Sequence, residues 1–294
     1  MNDPLTGAEV FITPSRQDRP EHGTGADGGD GAGGEGGGCP FCPGGAEAPE
    51  PYDVRWFVNR WPAMDGDRCE VVLFSPDHGA SLAGLGPEGV RRVVDLWAER
   101  TVALGSRPDV GYVLVFENRG AEVGATIDHP HGQIYGFAHV PPAARRELGA
   151  NPCPVCYEPA GDRLVAESPG WRAWVPEAAT WPFAMVLAPL GHRADLPSLA
   201  PWERDALAAL MADALGRLDR LFGAPMPYML WVHQRPTDGG QWPGAHLHVE
   251  VAPLYRSPST PRFVAAGELG SGVYFNPVAP ADAAARLRGA GVTP

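Results

Sequence analysis

A set of metal-type residues recurs along the chain at a fixed distance. Cys153, Cys156 and His192 lie 114 residues after Cys39, Cys42 and His78, and His246 and His248 lie 117 residues after His129 and His131. The flanking sequence keeps the same register. Val71–His78 corresponds to Met185–His192, the helical segment after Pro87 to Pro201–Leu221, and Val113–Phe116 to Tyr228–Trp231. Cys-x-x-Cys, His and His-x-His matching in order, with one small insertion before the last, mark a duplication. The 294 residues therefore read as two copies of one α/β unit, 1–149 and 150–294.

Local patterning fills in the units. Strands are expected at Glu9–Thr13, Val54–Val58, Val71–Phe74 and Tyr112–Phe116. Pro87–Leu104 has helical spacing, with Val90, Val93, Val94 and Trp97 on one face, and Pro141–Leu148 reads as a short helix. Pro4–Gly7 is a turn. Residues 22–38 are nearly all Gly, Ala, Asp and Glu, which cannot bury apolar surface and predict a flexible loop inside the first unit.

Charge and hydropathy exclude some functions. The net charge is −12 with no basic run, which argues against nucleic acid, whose phosphates need clustered Lys and Arg. A small phosphorylated ligand needs only local positive groups. No run of about 18 apolar residues is present, so no membrane span is expected. The N-terminus lacks a basic segment followed by an apolar one, so no signal peptide is expected and the default is a cytoplasmic protein.

Four of the five cysteines form two Cys-x-x-Cys pairs, leaving Cys69 over. In a reducing compartment such pairs, framed here by prolines, favour metal over disulfide. With the repeated histidines each half offers two thiolates and two imidazoles, a tetrahedral zinc set. The first set is Cys39, Cys42, His78 and His129, and the second is Cys153, Cys156, His192 and His246. Four protein ligands leave no open position, so two structural zinc ions per chain are expected. The competing reading is that a pair is merely buried cysteine.

The stretch Asp128–Tyr135 carries the chemistry. Side chains alternate faces along an extended strand, so His129, His131 and Gln133 share one. Glycine and proline between them would leave the backbone open to a ligand. If His129 holds zinc, His131 is the member left for chemistry. A neutral imidazole is a competent nucleophile toward phosphorus when its other nitrogen is held by an acceptor. Gln133 can donate its amide to a phosphate, and Gly120, Gly124 and Thr126 can add backbone and hydroxyl donors. The alternative for His131 is a core histidine satisfied by hydrogen bonds.

These residues also carry a family likeness. Glu117-Asn118-Arg119-Gly120, Gly124 and His129-Pro130-His131-Gly132-Gln133-Ile134-Tyr135 resemble the signature of galactose-1-phosphate uridylyltransferases, the transferase branch of the histidine-triad superfamily. Asp3–Gly7 with Arg16 and Arg19-Pro20, Cys39–Pro43, Val58–Ala63, Phe74–His78 and the tail from Arg262-Phe263 to Glu268-Leu269-Gly270 are similar too. The resemblance implies an α+β fold of two tandem histidine-triad-like units, each an antiparallel sheet with helices packed on one side. It implies a ping-pong reaction. His131 would attack the α-phosphorus of a UDP-sugar, and the uridylyl-histidine would pass its group to a second sugar 1-phosphate. Hydrolase relatives carry a third histidine where this chain has Gln133, so the glutamine implies transfer over attack by water. Asn59 would line the nucleotide pocket. Asn118, Gly124, Thr126, Arg16 and Arg19 would meet phosphates, and Arg262, Phe263 and Glu268 the hexose phosphate. The resemblance further implies a homodimer in which the second half of one subunit completes the other's site.

Some features depart from the pattern. The second His-x-His runs into Val249-Glu250, so His248 reads as a retired copy and one active centre per chain is expected. Some relatives hold iron or zinc through a Glu and three His, which here match Glu147, His233, His246 and His248. The presence of Cys153, Cys156 and His192 in register favours the thiolate set. The tail has Arg262 where lysine is usual, which leaves the sugar open. Two other functions stay in view: a phosphorylase that splits a nucleotide sugar such as ADP-glucose with phosphate, and a zinc-stabilised nucleotide-binding protein without turnover.

Overall fold

The computed structural model describes residues 1–14, 16, 38–150 and 152–291. Arg19 and residues 22–37 of the Gly-rich stretch lie outside the described residues. Nine strands form one sheet. They are β1 (Arg55–Val58), β2 (Cys69–Leu73), β3 (Tyr112–Arg119), β4 (His131–Phe137), β5 (Leu164–Ser168), β6 (Trp171–Trp174), β7 (Met185–Pro189), β8 (Tyr228–His233) and β9 (His248–Pro253). Their spatial order is β1-β2-β4-β3-β8-β9-β7-β6-β5, and every neighbouring pair is antiparallel.

Counting outward from the central β3–β8 pair, the halves repeat one order: β3, β4, β2, β1 on one side and β8, β9, β7, β6 on the other. The duplication is thus visible in three dimensions. The two sheets expected from the sequence are however one. β3 and β8 pair from Val115 with Val232 to Arg119 with Tyr228. An isolated half would leave each of these strands with a row of unpaired N–H and C=O groups, and the other half satisfies them.

The helices are α1 (Gly86–Gly105), α2 (Pro142–Leu148), α3 (Pro154–Tyr157), α4 (Pro201–Leu221), α5 (Ala266–Ser271) and α6 (Pro280–Gly289). α1 and α4 pack together against one face of the sheet. Val90, Val93, Val94 and Trp97 of α1 are buried there with Val113, Val115 and Ile134 of the sheet. α4 starts at Pro201, where no intrahelical N–H is needed, and the Ala200 N–H donates to the Glu203 carboxylate at 2.9 Å. Arg204 of α4 reaches Asp95 of α1 at 3.0 Å and ties the two helices together. On the opposite face Val71 and Leu73 pack under Phe41 and Ala48 from the first Cys-x-x-Cys segment. That face carries the site.

Two local expectations change. Glu9–Thr13 is not a strand: only Glu9 bridges, to Asn2, and Val10, Phe11 and Ile12 are exposed. Among the described residues the apolar run has no partner strand to complete it. β4 begins at His131, so His129 stands just before the strand and not in its row. The turn at Pro4–Gly7 is present, with the Leu5 and Thr6 N–H groups donating to the Asp3 carboxylate and Gly7 at φ 71°. No described helix is long and apolar enough to cross a membrane.

Candidate active site and metal clusters

The two histidines before Gln133 face different partners. The His129 Nε2–H lies 2.8 Å from the Ser75 carbonyl, which can only accept. The lone pair of the neutral ring is then on Nδ1, 3.6 Å from the Cys42 sulfur. Tyr52, which the sequence reading passed over, donates to the Phe41 carbonyl at 2.6 Å and stands 2.9 Å from His129 Nε2. Burial pushes the His129 pKa below its ordinary value, which keeps the ring neutral. His131 is held the other way round. Its Nδ1 lies 2.8 Å from the His129 carbonyl, so Nδ1 carries the proton and Nε2 the lone pair. The metal-type residue thus orients the ring of its neighbour through one backbone carbonyl.

His131 lines a cleft of about 350 Å³ with Phe41, Asn59, Trp61, Ile127 and Gln133. Within it Gln133 Oε1 accepts from Asn59 Nδ2 at 3.4 Å and from the Tyr135 hydroxyl at 3.2 Å. Arg16 Nη1 in turn reaches the Tyr135 hydroxyl at 3.5 Å. The structure therefore brings His131, Gln133, Asn59 and Arg16 near one another. Tyr135 is an addition, and its place two residues beyond Gln133 on the same strand face was readable from the spacing. Asn118 pairs with Met229 of β8 one residue before β3 ends, and Gly124 sits in the β3–β4 connection at φ 89°, a region that favours glycine. Gly132 has a different role from the one expected. A Cβ there would come within 2.7 Å of the Phe74 ring and 2.9 Å of the Phe116 carbonyl, so its missing side chain admits the core and not a ligand.

Both Cys/His sets assemble. The donor atoms of Cys39, Cys42, His78 and His129, and those of Cys153, Cys156, His192 and His246, each lie within 4.8 Å of one another. The second set repeats the first in detail. His246 Nε2–H donates to the Pro189 carbonyl at 3.1 Å, where Pro189 is the repeat partner of Ser75. Its Nδ1 lies 3.2 Å from the Cys156 sulfur and 3.5 Å from that of Cys153. Burial pushes the His246 pKa down to about 4, so this ring too is neutral. Burial and the adjacent cysteine push the Cys42 and Cys156 thiols up. In each set one neutral imidazole with its outer nitrogen fixed, a second histidine and two cysteines make a donor set suited to a divalent cation.

A third cluster joins Glu147 of α2, His233 of β8, and His248 and Glu250 of β9. By sequence, a Glu/His group of Glu147, His233, His246 and His248 competes with the thiolate set for His246. The structure separates them: His246 turns to the thiols, and Glu250 takes the fourth place of the other group. The His233 ring stacks on that of His248 with centroids 4.8 Å apart. Its Nδ1 lies 2.9 Å from Glu147 and its Nε2 3.3 Å from Glu250. Burial alone would lower the His233 pKa, but the two carboxylates outweigh it and raise it to about 9.

The tail segment stands apart. Arg262 and Glu268 are buried and paired with each other, and the guanidinium sits 4.6 Å above the Trp181 ring. Phe263 is 75% exposed. None of the described residues of this segment lines the His131 cleft of the same chain.

Fold and site together define a duplicated α/β protein with two Cys/His clusters and a histidine-lined cleft beside the first. Residues 58–141 match the N-terminal domain of galactose-1-phosphate uridyl transferase and residues 158–272 its C-terminal domain. The chain belongs to the galactose-1-phosphate uridylyltransferase family. It is 32% identical to the galactose-1-phosphate uridylyltransferase of Thermotoga maritima, over 97% of this chain and 96% of that protein. It is 38% identical to that of Streptomyces lividans, over 85% and 78%. A solved uridylyltransferase structure superposes with a TM-score of 0.83 at 29% identity, covering 98% of this chain and 97% of that one.

Proposed function

We propose that this chain moves a uridylyl group between a UDP-hexose and a hexose 1-phosphate through a uridylyl-histidine at His131. The observation that carries the reading is the bond from His131 Nδ1 to the His129 carbonyl, which puts the imidazole lone pair on Nε2 in a ring that lines the cleft. In the first half-reaction Nε2 attacks the α-phosphorus. An N–P bond forms, the bond from the α-phosphorus to the bridging oxygen breaks, and hexose 1-phosphate leaves. In the second, a phosphate oxygen of another hexose 1-phosphate attacks the same phosphorus and the N–P bond breaks. The Gln133 amide stabilises charge on the phosphoryl oxygens. Asn59 lines the nucleotide side, and Arg16, Arg19, Asn118, Gly124 and Thr126 serve the phosphates.

In this reading the two thiolate/imidazole sets hold structural zinc, which takes no part in the chemistry and fixes the carbonyl that orients His131. The free thiols suit a reducing, cytoplasmic setting. The tail meets the hexose phosphate across a homodimer, which accords with exposed Phe263, Leu269, Tyr274 and Phe275. Arg262 and Glu268 then shape the segment that presents Phe263 to the partner's cleft. The test is an exchange screen. UDP-glucose with galactose 1-phosphate should give glucose 1-phosphate and UDP-galactose. Turnover only with ADP-glucose and inorganic phosphate would assign a phosphorylase, and turnover with no pair a binding protein.

A further inference from the structure

We infer that Tyr135 is a positioning residue that, with Asn59, decides which end of the Gln133 carboxamide faces the reacting phosphoryl group. The inference rests on the proposed transfer reaction and deepens it. A glutamine side chain has one accepting and one donating end, and the two differ little in shape. Only the donating end can help a phosphoryl group. Something must hold the amide the right way round.

Two donors converge on Gln133 Oε1, the Tyr135 hydroxyl at 3.2 Å and Asn59 Nδ2 at 3.4 Å. They occupy the two lone pairs of that oxygen and leave Nε2 with its two protons for the cleft. Each donor is itself fixed by a group with no choice of polarity. Asn59 Oδ1 accepts from the Trp61 backbone N–H at 2.9 Å, so Nδ2 is the end that meets Gln133. The Tyr135 hydroxyl accepts from Arg16 Nη1 at 3.5 Å, and a guanidinium can only donate. The hydroxyl is an acceptor toward Arg16 and a donor toward Gln133 Oε1. The Tyr135 ring is set edge-on to Phe116, with centroids 4.7 Å apart at 81°, and lies 6.3 Å from Phe137. It has little freedom to turn away.

Removing the hydroxyl leaves Oε1 with one donor and lets the amide reverse. The carbonyl oxygen then faces a phosphoryl oxygen, and it offers an acceptor to water beside the nucleotidyl-histidine. Two consequences follow for Tyr135→Phe. The transfer kcat falls by about tenfold, the size of one lost hydrogen bond, with KM for the UDP-sugar within about twofold. The share of nucleotidyl-enzyme lost to hydrolysis rises.

The experiment compares wild type, Tyr135→Phe, Gln133→Ala and the double variant. Single-turnover formation and decay of the labelled enzyme are followed, with UDP-glucose as donor and galactose 1-phosphate or water as acceptor. The inference expects Tyr135→Phe to matter only when Gln133 is present. An equal loss in the Gln133→Ala background, or wild-type partitioning in Tyr135→Phe, would overturn it. Tyr135→Phe keeps the ring, and its melting temperature confirms that the fold is intact. Absence of any His131-dependent label in wild type would instead sink the transfer reaction itself, so the two failures are told apart.

Discussion

The two His-x-His stretches share a backbone and differ in what surrounds them. In each, the second histidine bonds through Nδ1 to the carbonyl of the first at 2.8 Å. In each, the first histidine turns Nδ1 toward two cysteines. In the first half the next residue on the face is Gln133, and the cleft measures about 350 Å³. In the second half it is Glu250, Glu147 stands opposite, and the cavity is about 170 Å³. One carboxylate for one carboxamide, with a second carboxylate brought in by α2, replaces groups that welcome phosphate with groups that repel it. The tautomer was kept through the duplication and the charge was not. On the proposed reading, a poised imidazole alone does not make a phosphoryl-transfer site.

The largest test of that contrast is on the nucleophiles. His131→Asn should lower transfer by a factor on the order of 10⁴ or more, whereas His248→Asn should stay within roughly tenfold of wild type. Comparable losses in both would mean that the second site takes part. The cysteines sharpen the contrast. Cys42→Ser and Cys156→Ser should each remove about one metal equivalent and cost on the order of several kcal/mol in unfolding free energy. Only Cys42→Ser should also lower kcat per folded molecule, because the His129 carbonyl that orients His131 moves with that cluster. Equal kcat for the two variants, with metal content measured alongside, would break the link.

The smallest effect lies where the halves join. Glu117 of β3 accepts from the Tyr228 hydroxyl of β8 at 2.9 Å and is fully buried. Burial raises its pKa from 4.5 to about 7, with Tyr228 and Arg119 pulling the other way. A group whose folded pKa is raised holds its proton longer in the native state. Its contribution is present below pH 4.5 and is lost as pH rises toward 7. The shift corresponds to about 3 kcal/mol at most. Glu117→Gln should flatten the pH dependence of urea unfolding between about pH 4.5 and 7, and parallel curves for the two proteins there would refute it.

Much of this was legible because metal ligands and reactive histidines are constrained in type and spacing. The offset from Cys39 to Cys153 revealed the duplication, and both four-residue sets assembled from it. The spacing of Val90, Val93, Val94 and Trp97 marked the buried face of α1. What escaped depends on partners far along the chain. Nothing local to Tyr112–Arg119 tells that its free edge is filled by Tyr228–His233. Glu250 looked like a lost glutamine until Glu147 and His233 arrived beside it. Tyr52 carries no motif, since its role is set by the carbonyls of Phe41 and Ser75. At Glu9–Thr13 a short apolar run suggested a strand, but no neighbouring strand is present among the described residues to pair with it.

The seam also sets a schedule for synthesis. Phe116 pairs with Trp231, 115 residues later in the chain. At about 5–20 residues per second, β3 emerges from a ribosome roughly 6–20 s before its partner exists. During that interval the nascent first half presents an open strand edge to whatever lies nearby. A polypeptide ending near residue 149 would keep that edge for good, and neighbouring copies would be its readiest substitute for β8.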